Sequence, residues 1–257
     1  MSFSRVVKFL PYILAAYLSL PVFSAILILP SVTSVMLPEL VDALFVSVFS
    51  ASITTLISAI LGVPLAYTLA RNRSRLNQLI EALVISPIIL PPIVTGLLLL
   101  SVLSPGGLIG KLADDAGFRI TRTLFAIVLA QLAVASPFTV ISAKAAFEGV
   151  DVKLEFASRL MGAGRLKTFL KISLPLAKKG VLAGLLMTFV RSVGEFGATF
   201  MLAYFPRTLP IYLYTSYLKG GVEGAIPVAI VLWVIGVMVF TFIRLLGDGV
   251  AGAERSG

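Results

Sequence analysis

The sequence predicts an all-α integral membrane protein of six transmembrane helices, with both termini on the cytoplasmic side. Of its 257 residues, 58% are hydrophobic and only 13% charged, with a mean hydropathy of +1.04. A soluble domain carries roughly 25% charged residues, so that class is excluded. Six runs reach the roughly 20 apolar residues a helix needs to cross hydrocarbon. The third observation is charge placement: Lys and Arg alternate between crowded and sparse connections in step with those runs.

The expected spans are 10–30, 43–68, 79–103, 123–147, 180–204 and 225–246, within a single transmembrane domain over residues 1–257. The first run has a signal-like start, with Arg5 and Lys8 before it and Ser24-Ala25 resembling a cleavage site. Apolarity nevertheless continues through Ile26 to Leu29, and Pro11 and Pro21 interrupt the core, which favours an uncleaved helix. With the N-terminus inside, 15 of the 21 basic residues fall in cytoplasmic segments: Arg5, Lys8, Arg71, Arg73, Arg75, eight between Lys144 and Lys179, Arg244 and Arg255. Lys111, Arg119, Arg122, Arg207 and Lys219 fall outside, and Arg191 alone lies in a span. By the positive-inside rule the net charge of +9 maps topology and is no nucleic-acid signal. Cys and His are absent, which removes disulfides, thiol nucleophiles, most zinc sites and the commonest general base. No metal site is expected.

Prolines at membrane depth (Pro64, Pro87, Pro91, Pro92 and Pro137) each remove a backbone donor and bend or interrupt a helix. Ser86 to Pro92 is the densest such stretch. It reads either as a packing kink or as a bend beside a path that opens and closes, which makes Pro91 and Pro92 path candidates. Gly180 and Gly184, and Gly194 and Gly197, suggest close helix approach.

Arg191 and Glu195 sit four residues apart in an otherwise apolar run. An intramembrane charge costs about 2.5–3.5 kcal/mol on insertion scales and normally faces a bundle interior. The i, i+4 spacing predicts a mutually neutralising pair. That pair either fixes packing or lines the path, with Arg191 helping an anion past the midplane and Glu195 holding the arginine.

Residues 148–179 form the largest non-spanning segment. Asp151 is a plausible N-cap, Glu155 suits the positive helix end, and Phe156, Ala157, Leu160 and Met161 make an apolar stripe opposite Lys153 and Arg159. Gly162-Ala163-Gly164 then stops that helix. Periodicity alone leaves two readings, a helix lying on anionic lipid and a helix that docks a partner.

The run Glu155-Phe-Ala-Ser-Arg-Leu-Met-Gly162-Ala-Gly, nine residues from Gly162 to Ile172, and Ser173-Leu174-Pro175 resemble the EAA loop of binding-protein-dependent ABC importer permeases, E-A-A-x3-G-x9-I-x-L-P. Aligned on the glycine, the motif glutamate falls on Phe156, with Glu155 one place earlier. Arg191-Ser-Val-Gly-Glu195-Phe-Gly-Ala, Leu202-Ala-Tyr-Phe-Pro206 and Ile211-Tyr through Ala225-Ile-Pro227 are similar to molybdate/tungstate permease subunits, particularly archaeal ones. Sulfate and thiosulfate permeases are near relatives.

The resemblance implies an EAA-type permease fold and a path formed by two permease copies in the lipid bilayer. It also implies two cytoplasmic ABC ATPase subunits and an extracytoplasmic oxyanion-binding protein. Glu155, Phe156, Ala157, Ser158, Arg159, Leu160, Met161, Gly162, Ala163 and Gly164 would couple to the ATPase. No cofactor is expected on this chain; ATP and Mg belong to the partner ATPase. Gly106-Gly-Leu-Ile-Gly110-Lys111-Leu112 is one residue short of a phosphate loop and lacks its Ser/Thr. Two rival classes remain. A secondary transporter would carry buried coupling carboxylates, of which Glu195 is the single candidate, and an intramembrane enzyme would need a nucleophile and base in one pocket.

Overall fold

The computed structural model describes the backbone of residues 3–28 and 37–255 and the side chains of 12–27 and 37–242. Every regular element among them is helical. The end of the expected first span, at 29–30, lies outside the described residues. So do the side chains of Arg5, Lys8, Arg244 and Arg255.

Helix α1 (Phe3–Ile28) touches the rest of the chain at the last helix, and most of its Tyr12–Leu27 surface is exposed. Helix α2 (Leu37–Arg71) is continuous for 35 residues, longer at both ends than the expected 43–68. It crosses Pro64 without breaking because a π-turn, Ser58–Gly62, immediately precedes it. A proline clashes with the carbonyl four residues back, and one wide turn relieves that clash. The same device recurs in α8 (Arg165–Val193), where the π-turn Phe169–Ser173 precedes Pro175.

The expected third span, 79–103, is two helices instead of one. Helices α3 (Arg75–Ile89) and α4 (Pro92–Leu103) meet at an angle of 117°. The cause is the Pro91-Pro92 pair. A residue before proline is pushed out of the helical region, and Leu90 (ψ 140°) and Pro91 (ψ 134°) are both extended. A short α5 (Leu108–Asp115) follows. Its glycines serve packing: a Cβ on Gly107 or Gly110 would lie 2.4 Å from the Ser101 carbonyl oxygen or 1.9 Å from that of Ser104.

Helix α6 (Leu124–Glu148) is the central strut, packed against α2, α3, α4, α8 and α9 (Gly197–Leu202). Buried polar groups hold it. Gln131 is fully buried and donates to Ser50 Oγ (3.0 Å) and the Ser192 carbonyl (3.0 Å), while Thr54 donates to its Oε1 (2.9 Å). About two turns further along α6, Thr139 and Thr188 share a hydroxyl contact of 2.7 Å. Gly180 and Gly184 let α8 approach closely: an added Cβ would come within 2.5 Å of Ala146 Cβ and 2.8 Å of Ser142 Cβ.

Helix α7 (Val152–Leu160) takes up nine residues of the expected 148–179 segment, and α8 begins at Arg165, fifteen residues before the expected start of its span. Helix α8 ends at Val193 instead of 204, and α9 is a separate short helix. Helix α10 (Leu209–Arg255) begins well before 225 and is kinked at Gly220 and Gly221, where Gly221 takes φ 62°. Among the described residues four helices are long and apolar enough to cross a membrane, or five with α3–α4 counted as one bent span.

Candidate functional site

Helix α7 is built as the sequence suggests. Asp151 accepts from the Lys153 N–H (2.9 Å) at its start. Its end is a Schellman turn: Ala163 N–H reaches the Ser158 carbonyl (3.1 Å) and Gly162 N–H that of Arg159 (2.9 Å). Gly162 sits at φ 84°, where a side chain would be strained, and that accounts for the glycine. Phe156 is 59% exposed, and Leu160 and Met161 are 89% and 88% exposed. Among the described residues nothing covers that apolar ridge. Beside it, Leu154, Ala157, Met161, Ile172 and Leu176 line a groove of about 600 Å³.

Glu155 faces the other way. It is only 3% exposed, and its carboxylate accepts from Arg71 Nε (3.0 Å) and Nη2 (2.9 Å), Tyr67 OH (2.9 Å) and Ser173 Oγ (2.8 Å). Arg71 Nη2 also donates to the Val150 carbonyl (3.0 Å), and Arg159 lies 3.9 Å from the carboxylate on its more open side. Burial pushes the Glu155 carboxyl up, but hydrogen bonds from Arg71, Ser173 and Tyr67, with the Arg71 charge, outweigh it and hold the group below its ordinary value. Tyr67 is in turn packed against Phe147 and Phe169 at 5.3 and 4.9 Å between ring centroids. The carboxylate therefore bolts α7 to the end of α2 and to the π-turn of α8. From sequence, Arg71 counts only as a cytoplasmic charge and Ser173 only as part of the EAA-like run, and Tyr67 carries no mark. The available signal was Tyr67-x3-Arg71, one face at the end of an apolar run.

Arg191 and Glu195 do not form the expected ion pair. An i, i+4 pair needs an unbroken helix, and α8 stops at Val193 before Gly194, a poor helix former. Glu195 is fully buried and turns to the start of α9, accepting from the N–H groups of Ala198 (2.9 Å) and Thr199 (2.7 Å) and from the Thr199 hydroxyl. Those donors satisfy the carboxylate where it lies. Arg191 has no hydrogen-bond or ion-pair partner among the described residues. It lines an apolar cavity of about 420 Å³ with Phe138, Met187, Val190, Gly236 and Phe240.

Pro92 instead meets the Glu195 region. A Cβ on Gly197 would lie 2.8 Å from the Ile93 nitrogen and 3.0 Å from Pro92 Cβ, and one on Gly96 would lie 2.7 Å from Ala198 Cα. The α3–α4 break thus seats directly on the α8–α9 break, while Pro91 remains exposed. Among the tyrosines after Pro206, Tyr212 is buried and Tyr214 packs on Phe196 and Phe200, leaving Tyr217 exposed.

Residues 58–252 match the model of the family described as binding-protein-dependent transport system inner membrane component. The chain belongs to that family. Such membership, with several helices long and apolar enough to span, makes it a multi-pass membrane protein. It is 50% identical over 201 residues, 78% of its length and 73% of the relative's, to a probable molybdenum ABC transporter permease protein of Haloferax volcanii. It is 34% identical to the molybdate/tungstate transport system permease protein WtpB of Pyrococcus furiosus, covering 92% of both chains. A third relative, the molybdenum transport system permease protein ModB of Mycobacterium tuberculosis, is 35% identical over 79% of this chain and 78% of its own. Among solved structures, a bacterial alginate ABC transporter in complex with alginate pentasaccharide-bound periplasmic protein superposes with a TM-score of 0.75 at 16% identity, over 96% and 95% of the chains. The MetNI methionine ABC transporter, in inward-facing conformations, gives 0.64 at 20% identity over 85% and 97%. At those identities the likeness is one of fold.

Proposed function

We propose that this chain is the permease subunit of an ATP-driven importer of molybdate or tungstate, working as a pair of copies. The observation that carries the reading is the apolar ridge of Phe156, Leu160 and Met161, left bare on a helix locked from behind by Glu155. A helix on lipid would need no such lock. A helix that transmits force from a nucleotide-binding subunit needs both a docking face and a stiff mounting. The relatives named for molybdenum and molybdate/tungstate transport support the substrate class.

In this reading α1, α2, the bent α3–α4 pair, α6, α8 and α10 are the six crossings, with both termini and α7 cytoplasmic. Two ATPase subunits, holding ATP and Mg, seat α7 in a groove, with residues 155–164 as the contact segment, and an external binding protein delivers the anion. Movement of α7 passes through Arg71 to α2 and through Ser173 to α8. The stacked breaks at Pro91-Pro92 and Gly194–Gly197 are where the helices flex. Arg191, unpaired among the described residues, offers its donors to a passing dianion.

The test is uptake of radiolabelled molybdate into proteoliposomes holding this chain, its ATPase and its binding protein. Uptake should require ATP and all three components, and Arg191→Leu should slow it while the complex still assembles. Uptake independent of the ATPase, or driven by an ion gradient alone, refutes the reading.

A further inference from the structure

At the opposite end of α6 from α7, about 36 Å away along its 25 residues, Ser104, Arg119, Thr121, Arg122, Phe200 and Tyr204 contribute to a cavity of about 550 Å³. In the sequence Arg119 and Arg122 stand only as charges on the outer side. The structure gives them a frame. Ile120 between them is buried in the core formed by α4, α6 and α9. Thr123 bonds the Ile120 carbonyl (2.6 Å) and caps α6 through the Ala126 N–H (3.2 Å). The Arg122 N–H donates to the Leu202 carbonyl at the end of α9 (3.3 Å).

Arg122 itself has φ 59°, the single non-glycine residue with positive φ among the described residues. That conformation favours Gly or Asn, and for other residues the strain is held in place by surrounding structure and concentrates at functional sites. The backbone at this position asks for glycine; the guanidinium is what an arginine adds. Neither Arg119 nor Arg122 has a side-chain hydrogen bond or ion pair among the described residues, although Asp114 and Asp115 lie nearby in sequence. Two guanidinium groups without partners among the described residues, with Ser104, Thr121 and Tyr204 and no carboxylate in the lining, make a donor-rich, positively charged cavity. That chemistry suits a tetrahedral oxyanion, whose oxygens accept bidentate bonds from arginine.

We propose that this cavity is an entry subsite that holds the tetrahedral dianion on the face away from α7, before it reaches the membrane interior. The proposal rests on the oxyanion-importer reading. A phospholipid head group offers similar phosphate chemistry, and an acidic protein surface offers carboxylates, so the experiment separates all three.

Equilibrium binding of radiolabelled molybdate is measured on the complex of permease and ATPase with the binding protein omitted, first in phospholipid-free detergent and then in nanodiscs. Arg122→Gly removes the charge while relieving the backbone, so it should unfold at the same or a higher temperature yet bind molybdate at least roughly tenfold more weakly. Arg119→Gln should weaken binding by a similar factor, and tungstate or sulfate should compete. Unchanged binding in both variants overturns the subsite. So does weaker docking of the binding protein with unchanged anion binding, which would assign the arginines to a protein contact. Binding in detergent that vanishes in nanodiscs would assign the cavity to a lipid head group and also overturn it. If the wild-type complex imports molybdate but the variants bind it normally, the subsite alone fails; if the wild type imports and binds no oxyanion, the functional reading and the subsite fail together.

Discussion

Replacing Glu155 by Gln keeps the shape of the side chain and removes its charge, which isolates the electrostatic part of the α7 mounting. Arg71, with its side chain 15% exposed, loses the anion that takes two of its hydrogen bonds. Hydrogen bonds to charged groups contribute about 1.5–3 kcal/mol each against about 0.5–1.5 for neutral ones. Breaking a buried pair from one side costs about 3–5 kcal/mol when nothing compensates. Arg71 keeps its bond to the Val150 carbonyl and some solvent access, so a loss of about 2–4 kcal/mol is expected. Unfolding by SDS in mixed micelles at pH 7 measures it, and a double-mutant cycle with Arg71→Gln should show a coupling energy of at least about 1 kcal/mol. The sign with pH is fixed by the depressed pKa. Stability from an ionised Glu155 is fully present above its ordinary value of 4.5 and is lost as pH falls through the lower folded value. The gap between wild type and variant should therefore hold at neutral pH and close in acid, by no more than about 1.4 kcal/mol per pH unit. In the assembled complex the loosened α7 should let ATP hydrolysis continue while uptake falls. Equal stability at pH 7, or a gap unchanged down to pH 3, would refute the account of the clamp.

Other perturbations test neighbouring parts of the structure. Gly162→Val places a β-branched side chain at φ 84°, a strain of about 1–3 kcal/mol, and should uncouple ATP hydrolysis from uptake while membrane yield stays normal; co-purification with the ATPase and a transport assay report both. Gly180→Val, whose added Cβ would fall 2.5 Å from Ala146 Cβ, should force α6 and α8 apart at a cost of about 1–3 kcal/mol, read as a lower unfolding midpoint. Gln131→Leu removes three interhelical hydrogen bonds. At about 0.6 kcal/mol each in membranes it should cost about 2 kcal/mol without changing membrane insertion, measured by the same SDS titration.

What was legible in the sequence was what neighbouring residues decide among themselves. Pro91-Pro92 forces extended backbone wherever it occurs, and Gly162 ends α7 through two bonds that span at most five residues. Glu155 was legible as a charge but not as a clamp, because its partners Arg71 and Tyr67 lie 84 and 88 residues earlier and meet it only after α2 packs on α6. The Arg191–Glu195 pair failed for the converse reason. Spacing of four implies contact only if the helix persists, and Gly194 with the waiting N–H groups of Ala198 and Thr199 gave the carboxylate a nearer solution. Both cases turn on where a carboxylate finds its donors. Glu155 finds them inside, and that leaves the outward face of α7 to Phe156, Leu160 and Met161. An apolar ridge gains affinity by burial without fixing a charged partner, whereas the inward ion pair fixes angle and register. Under the proposed function they divide attachment from alignment: a partner gripping the ridge would move α2 and α8, because the Glu155 bonds to Arg71, Tyr67 and Ser173 tie α7 to both.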